Sequence, residues 1–165
     1  MSDAPIELFR RLTSGVYVIG VAWEGKSNAF TAAWVTQTSF DPLYLALNVH
    51  TGNFSYPLVK ASGAFVVNVL AEGQIELARQ FGTRSGRDGD KLAGVRWQPA
   101  GNGAPILLDA LAHIECRVVS ATPAGDHEVL IAHATGGLVH RPGSPLLYRD
   151  TGELDGSASL FPAKF

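Results

Sequence analysis

The stretch from Asn28 to Thr51, NAFTAAWVTQTSFDPLYLALNVHT, constrains this chain more than any other. It reads as two β-strands joined by a turn at Asp41-Pro42. The second strand, Leu43 to Val49, is almost continuously apolar, as a buried strand should be. The first, Thr31 to Ser39, is not. Strand side chains alternate between faces. That sets Ala29, Thr31, Ala33, Val35, Gln37 and Ser39 against Phe30, Ala32, Trp34, Thr36 and Thr38. Small or hydroxylated residues interrupt both rows, where a packed strand prefers Val, Ile or Phe. Two readings fit. One is an edge strand of a sandwich, with threonines serving β-propensity. The other is a platform, where small side chains let a flat molecule approach the backbone and hydroxyls bond its edge. Next, His50-Thr51-Gly52-Asn53 looks like a turn into a helix, whose unpaired N–H groups and partial positive charge suit a phosphate.

Around this stretch the pattern predicts many strands and three short helices. Pro5 to Leu12 places Ile6, Phe9 and Leu12 at helical spacing, with Asp3 as a cap. Val16 to Trp23 is a strand returning through a turn at Glu24-Gly25-Lys26-Ser27. Asn53 or Ser55 starts a helix that Gly63 closes. Ala64 to Leu70 is a strand, and Glu72 to Phe81 a helix. The glycine-rich stretch Gly82 to Asp90 is a polar loop, and Val95 to Pro105 an irregular connection. Ala110 to Ala121 and His127 to Val139 form a long hairpin about the turn Pro123 to Asp126. Pro145 to Tyr148 is a last short strand. The expectation is a mainly β fold with short helices, an antiparallel barrel with helices at its ends.

A chain of 165 residues, 46% apolar and 17% charged, buries a core and reads as one domain over residues 1–165. A net charge of −2 without a Lys/Arg run argues against a nucleic-acid partner. The N-terminus lacks the basic start and apolar region of a signal peptide, and no apolar run is long enough to span a bilayer. The expectation is a cytoplasmic protein with no membrane partner. Cys116 is the single cysteine, which excludes an intrachain disulfide.

Chemistry built from side chains alone has little support. His113, Glu115, Asp126, His127, His133 and His140 offer metal-ligand atoms, but His127 and His133 lie about 20 Å apart along an extended strand. His113 and Glu115 share a face, and a pair alone makes no site. There is no G-x-S-x-G elbow and no G-x-G-x-x-G after a strand. Cys116 sits in an apolar strand, where packing is its expected role. What remains is a site of backbone amides, small residues and hydroxyls, suited to a cofactor that brings its own reactivity.

Taken in order, FRRLTSGVYVIG, NAFTAAWVTQTSFDP, GAFVVNVL, LARQFGTRSGRDGDKLAGVRW, GAPILLDALAHIECRV, AGDHEVLIA and PLLYRD resemble the flavin reductase-like domain family over about nine-tenths of the chain. The resemblance implies an FMN-binding split barrel with Greek-key-like topology. It implies an NAD(P)H:flavin oxidoreductase that reduces FMN or FAD with NADH or NADPH and supplies a separate monooxygenase. It also implies a homodimer with flavin sites at the interface. Thr31, Ala32, Ala33, Trp34, Gln37 and Thr38 would then line the flavin. Thr51, Gly52, Asn53 and Phe54 would hold its phosphate side, with Arg84 and Ser85 reaching the phosphate or the adenosine end of FAD. Arg84 suits that role because a guanidinium pairs with phosphate bidentately. In the matching Gly125-Asp126-His127 turn, His127 would help place the nicotinamide. Tyr148, Arg149 and Asp150 match a strand end that contacts NAD(P)H. Departures from the family pattern are Ala33 and Trp34, where Ser or Asn is frequent, and a longer loop from Gly82 to Asp90. The alternatives are an electron-transfer protein holding FMN permanently, and, more distantly, a split-barrel oxidase or haem-binding protein.

Overall fold

The computed structural model describes residues 4–165. Its elements in chain order are α1 (Pro5–Phe9), β1 (Tyr17–Trp23), β2 (Lys26–Ala32), β3 (Val35–Ser39), β4 (Tyr44–His50), α2 (Tyr56–Ser62), β5 (Ala64–Val69), α3 (Ile75–Thr83), β6 (Trp97–Pro99), β7 (Pro105–Leu107), β8 (Ala112–Ala124) and β9 (His127–Val139). Asp3, expected to cap α1, lies outside the described residues. Seven strands form one antiparallel sheet in the order β2-β1-β5-β8-β9-β4-β3.

The expected strand from Thr31 to Ser39 is two strands. β2 and β3 sit at opposite ends of the sheet order, joined through Ala33 and Trp34. The break brings the two edges of the sheet together, so the barrel is closed by the chain and split where those edges are unpaired. The Trp34 carbonyl, freed from a β2 ladder, accepts from the Asn48 backbone N–H at 3.0 Å and from Asn48 Nδ2 at 3.2 Å. The strict alternation expected from Ala29 to Ser39 therefore stops at the break.

Alternation elsewhere selects the interior. Ile19 and Val21, Leu45, Leu47 and Val49, Phe65 and Val67, and Leu130 and Ala132 point into one buried cluster, joined by Phe30 and by Val59 of α2. The outer face of β1 carries Val18, with Val16 just before the strand, against Ala78 and Phe81 of α3, with Leu92 and Leu107. Gly20 lets this face take β7, because a Cβ there would stand 2.3 Å from the Pro105 carbonyl oxygen. Asn68, fully buried, fastens the same contact. Its Nδ2 donates to Val18 O at 3.0 Å and Pro105 O at 3.1 Å, and its Oδ1 accepts from Leu107 N at 2.7 Å.

Several boundaries differ from expectation for local reasons. α1 ends at Phe9, and Phe9 packs on Phe161 with ring centroids 5.8 Å apart, so the helix meets the tail instead of the core. The β1–β2 turn is only Glu24-Gly25, with φ of 49° and 75°, the pair of positive values a tight hairpin needs. The β8–β9 turn is likewise only Gly125-Asp126. The supposedly irregular Val95 to Pro105 contains β6, which pairs with β7. Pro145 to Tyr148 makes only isolated bridges to Ala71 and Gly15, and Tyr148–Thr151 is a 3₁₀ turn.

Candidate functional site

The expected contact residues fall into two neighbouring groups. The first is a cleft of about 300 Å³ between the end of β2, the β4–α2 turn and the loop after α3. Thr31, Gly52, Asn53, Phe54, Arg84 and Ser85 line it together, although they lie far apart in sequence. The Thr31 hydroxyl donates to Ala78 O of α3 at 2.7 Å, so it fastens α3 beside β2. Asn53 Oδ1 accepts from Ser55 N at 2.8 Å and shapes the turn. Beneath the turn, buried Asn28 donates from Nδ2 to the buried Ser55 hydroxyl at 2.8 Å. Ser55 is thus the N-cap by position, while its side chain caps nothing. α2 is only seven residues long, so the field at its N-terminus is a weak basis for phosphate binding.

Cations carry that argument instead, and two were not recognised in the sequence. Arg87 lies over the Phe54 ring at 5.6 Å, and Lys91 lines the inner wall of the cleft. Lys91 is 5% exposed, and its Nζ donates to Phe81 O and Arg84 O, each at 3.0 Å. These carbonyls end α3, where orphan acceptors and the negative end of the helix dipole favour a cation. Burial lowers the Lys91 ammonium to about 8. The sequence signal was an Asp-Lys pair closing a glycine-rich loop, which by itself reads as solvated charge.

The second group surrounds Trp34. Its ring packs on His127 with centroids 4.8 Å apart, and His127 packs edge-on against His50 at 5.2 Å. Strand pairing explains the meeting, since β4 and β9 run antiparallel with His50 opposite His127. His127 Nδ1 lies 2.6 Å from the Asp126 carboxylate, and this contact holds Asp126 below the usual carboxylate range. Gly52 N donates to His50 Nδ1 at 3.0 Å, while Thr51 donates to Asp126 O through its N–H at 3.2 Å and its hydroxyl at 3.3 Å. The turn from His50 to Gly52 therefore joins the two groups. Trp34 remains 49% exposed, with one part against His127 and the rest open.

Other expected contacts lie apart. Ala32 and Ala33, half-buried, connect the groups. Gln37 and Thr38 are exposed on β3 at a shift in register, and Gln37 Nε2 donates to Ser39 O at 3.3 Å. Tyr148, Arg149 and Asp150 line neither group. The Tyr148 hydroxyl donates to Asp155 Oδ2 at 2.7 Å, and Arg149 Nε lies 3.7 Å from Asp150 Oδ1. The spacing of the motif could not show that the following tail folds back onto it. Among the described residues, no three His, Cys, Asp or Glu side chains gather as a metal site, and no helix is long and apolar enough to cross a membrane. A larger groove of about 520 Å³, lined by Phe65, Glu115, Cys116 and Arg117, contains none of the expected contacts. Burial pushes the Cys116 thiol there up to about 12, which makes it a poor nucleophile.

Comparison with known proteins follows the same lines. The flavin reductase like domain matches residues 9–155. The FMN reductase (NADH) RutF of Variovorax paradoxus is 34% identical over 140 residues, covering 85% of this chain and 77% of its own. Diflavin flavoprotein A 1 of Synechocystis sp. is 36% identical over 130 residues, which are 78% of this chain and 23% of that protein. This chain therefore spans about a quarter of the diflavin flavoproteins it matches. The structure of a nitrilotriacetate monooxygenase component B homologue from Mycobacterium thermoresistibile superposes with a TM-score of 0.78 at 34% identity, covering 87% of this chain and 83% of that one. With its split barrel and its match across most of its length, the chain belongs to the flavin reductase-like domain family.

Proposed function

We propose that the protein is an NAD(P)H:flavin oxidoreductase, binding FMN or FAD with its phosphate in the cleft of Arg84, Arg87 and Lys91. The observation that carries this reading is the cation-lined cleft beside a half-open Trp34–His127 face, in a chain of this family. The residues fit an anionic nucleotide. Arg84, Arg87 and Lys91 supply three positive charges, and the backbones of Gly52, Gly82 and Gly86 line the cleft beside them. A volume of about 300 Å³ takes the phosphate end of a flavin, and its ring would continue along Ala32, Ala33 and Trp34.

A bound flavin would supply the hydride acceptor for a reduced nicotinamide. The protein's own part is binding and orientation. Thr31 holds α3 against β2, so the loop bearing Arg84 and Arg87 stays over the cleft. Asp126 accepts from His127 and fixes the imidazole plane, which Trp34 supports from one face. In this reading His127 positions the nicotinamide and need transfer no proton. Tyr148, Arg149 and Asp150 do not line the cleft, and in this reading the second subunit of a homodimer brings its own copies of them to the site. Supply of reduced flavin to a separate monooxygenase is the proposed use of the product.

The test is NADH and NADPH oxidation in air by purified protein, with and without added FMN or FAD. Flavin-dependent turnover is expected. A second reading follows from the diflavin flavoproteins, in which the matched region is a minor part of a larger protein. A permanently yellow protein that neither nicotinamide bleaches would replace reductase activity with electron transfer through bound FMN.

A further inference from the structure

Glu128 is an acid at an interior-facing position of β9. It pairs in register with Val49 of β4, and Val49 and Leu130 both belong to the buried cluster inside the barrel. Glu128 is 9% exposed, and both its carboxylate oxygens are engaged by α2. Oε2 accepts from the Tyr56 hydroxyl at 2.9 Å. Lys60 Nζ lies 2.9 Å from Oε2 and 3.1 Å from Oε1. Tyr56 and Lys60 are one turn apart on α2, so they share a face of that helix. The hydrogen bond from Lys60, with that from Tyr56, holds the Glu128 carboxyl below the usual carboxylate range, so it is ionised at neutral pH. Stability alone does not call for this arrangement, since well-packed apolar residues generally hold a helix as firmly as a buried ion pair. What the carboxylate adds is direction. Apolar packing is non-directional and lets a helix slide or turn, whereas two bonds from successive turns onto one group fix it.

The position of α2 matters because of what lies at each end of this link. On β9, Glu128 directly follows His127, and the two side chains leave opposite faces of the strand. On α2, Tyr56 follows Phe54 of the cleft by two residues. Glu128 therefore ties the turn that lines the cleft to the strand that carries His127. The other tie between them, from Thr51 to Asp126 O at 3.2 and 3.3 Å, is exposed. We infer that Glu128 is a positioning residue, which through Tyr56 and Lys60 fixes the β4–α2 turn against His127. This rests on the reductase reading of the site, in which the turn holds flavin and His127 places the nicotinamide. Hydride transfer depends steeply on that placement, and a displacement of about 1 Å costs on the order of a hundredfold in rate. Flavin affinity depends less on the link. The turn keeps its own shape through Asn53, and Asn28 ties it to β2 through Ser55.

The experiment compares wild type with Glu128→Leu, Glu128→Gln and Tyr56→Phe. It reads the melting temperature, the FMN dissociation constant, and the stopped-flow rate constant for FMN reduction at saturating NADH or NADPH. Ile106→Val, which loosens packing against Ala22 and Val66 away from the site, is the control for lost stability alone. Glu128→Leu should slow FMN reduction about tenfold or more, with FMN affinity little changed. Glu128→Gln keeps an acceptor for Tyr56 and should recover most of the rate. Tyr56→Phe removes one tie and leaves Lys60 in place, so it should slow reduction by a smaller factor; it carries the test if Glu128→Leu does not fold. Amide exchange in the ligand-free protein is a readout independent of turnover. The Thr51 N–H should exchange faster in Glu128→Leu and Tyr56→Phe than in wild type and Ile106→Val, because its bond to Asp126 O then holds the turn to β9 alone. Reduction rates or Thr51 exchange that follow melting temperature alone across all variants overturn the inference. Wild-type protein that reduces no flavin overturns the reductase reading, and Thr51 exchange then decides whether Glu128 holds the turn.

Discussion

Gly86→Ala separates the shape of the cleft from the stability of the fold. A Cβ at Gly86 would stand 2.5 Å from Phe54 Cδ1 and 2.7 Å from both Phe54 Cε1 and Asn28 Nδ2. Ordinary contact begins at 3.4 Å, a shortfall of about 0.9 Å at the nearest atom. Asn28 cannot yield, because its amide is committed to the buried Ser55 hydroxyl, and orphaning a buried group costs about 1–3 kcal/mol. Either the Phe54 ring turns or the loop lifts. Turning the ring removes the Arg87–Phe54 contact, worth about 0.5–1 kcal/mol at an exposed site. Holding the loop down against this overpacking costs about 1–3 kcal/mol, which a lifted loop avoids in the free protein and flavin binding must supply. Since about 1.4 kcal/mol is tenfold in affinity, FMN should bind roughly tenfold more weakly. Thermal stability should change little, because the strain is released by a surface loop. The assay is FMN titration by flavin fluorescence beside Gly101→Ala, whose new Cβ meets nothing within 4 Å and whose φ is unstrained. If Gly86→Ala binds FMN as tightly as Gly101→Ala and wild type, the loop does not wall the binding site.

Phe81→Ala empties the contact between α3 and the sheet, and thermal melting should register a loss of about 3–5 kcal/mol. Asn53→Asp keeps the acceptor for Ser55 N and adds a negative charge to the cleft, so FMN affinity should drop at low salt and recover partly at high salt. His127→Ala should raise the Michaelis constant for NADH or NADPH and leave the flavin dissociation constant alone; the opposite pattern would place His127 on the flavin. For ligand-free protein, Lys91 also predicts a pH effect on stability. Its folded value is about 8 against 10.5 unfolded, so between these the unfolded chain holds more protons and stability rises with pH. The difference amounts to at most about 3 kcal/mol. Urea midpoints at pH 7.5 and 9.5 should therefore move further upward in wild type than in Lys91→Met.

Local pattern by itself determined most of the strands. The apolar runs at Leu43 to Val49 and Ala64 to Leu70 read as buried strands because they are bounded by turn residues and are too short for a buried helix. The hairpin ending at Gly125-Asp126 was legible because turn chemistry is local. Family resemblance added the set of residues around Thr31, Gly52 and Arg84, which the structure gathers into one cleft. Three things were decided only by tertiary structure. The strand from Thr31 to Ser39 breaks at Ala33-Trp34 because closing a barrel moves the chain between distant edges of a sheet, and periodicity carries no information about closure. Tyr148 turns to Asp155 and Ser157 because the tail folds back over it, a long-range contact without a local signature. Lys91 looked like one more loop charge, since burial is a property of the assembled packing. Carbonyls at the end of α3 take up its ammonium, and only that packing turns a surface residue type into a buried cation in the wall of the cleft.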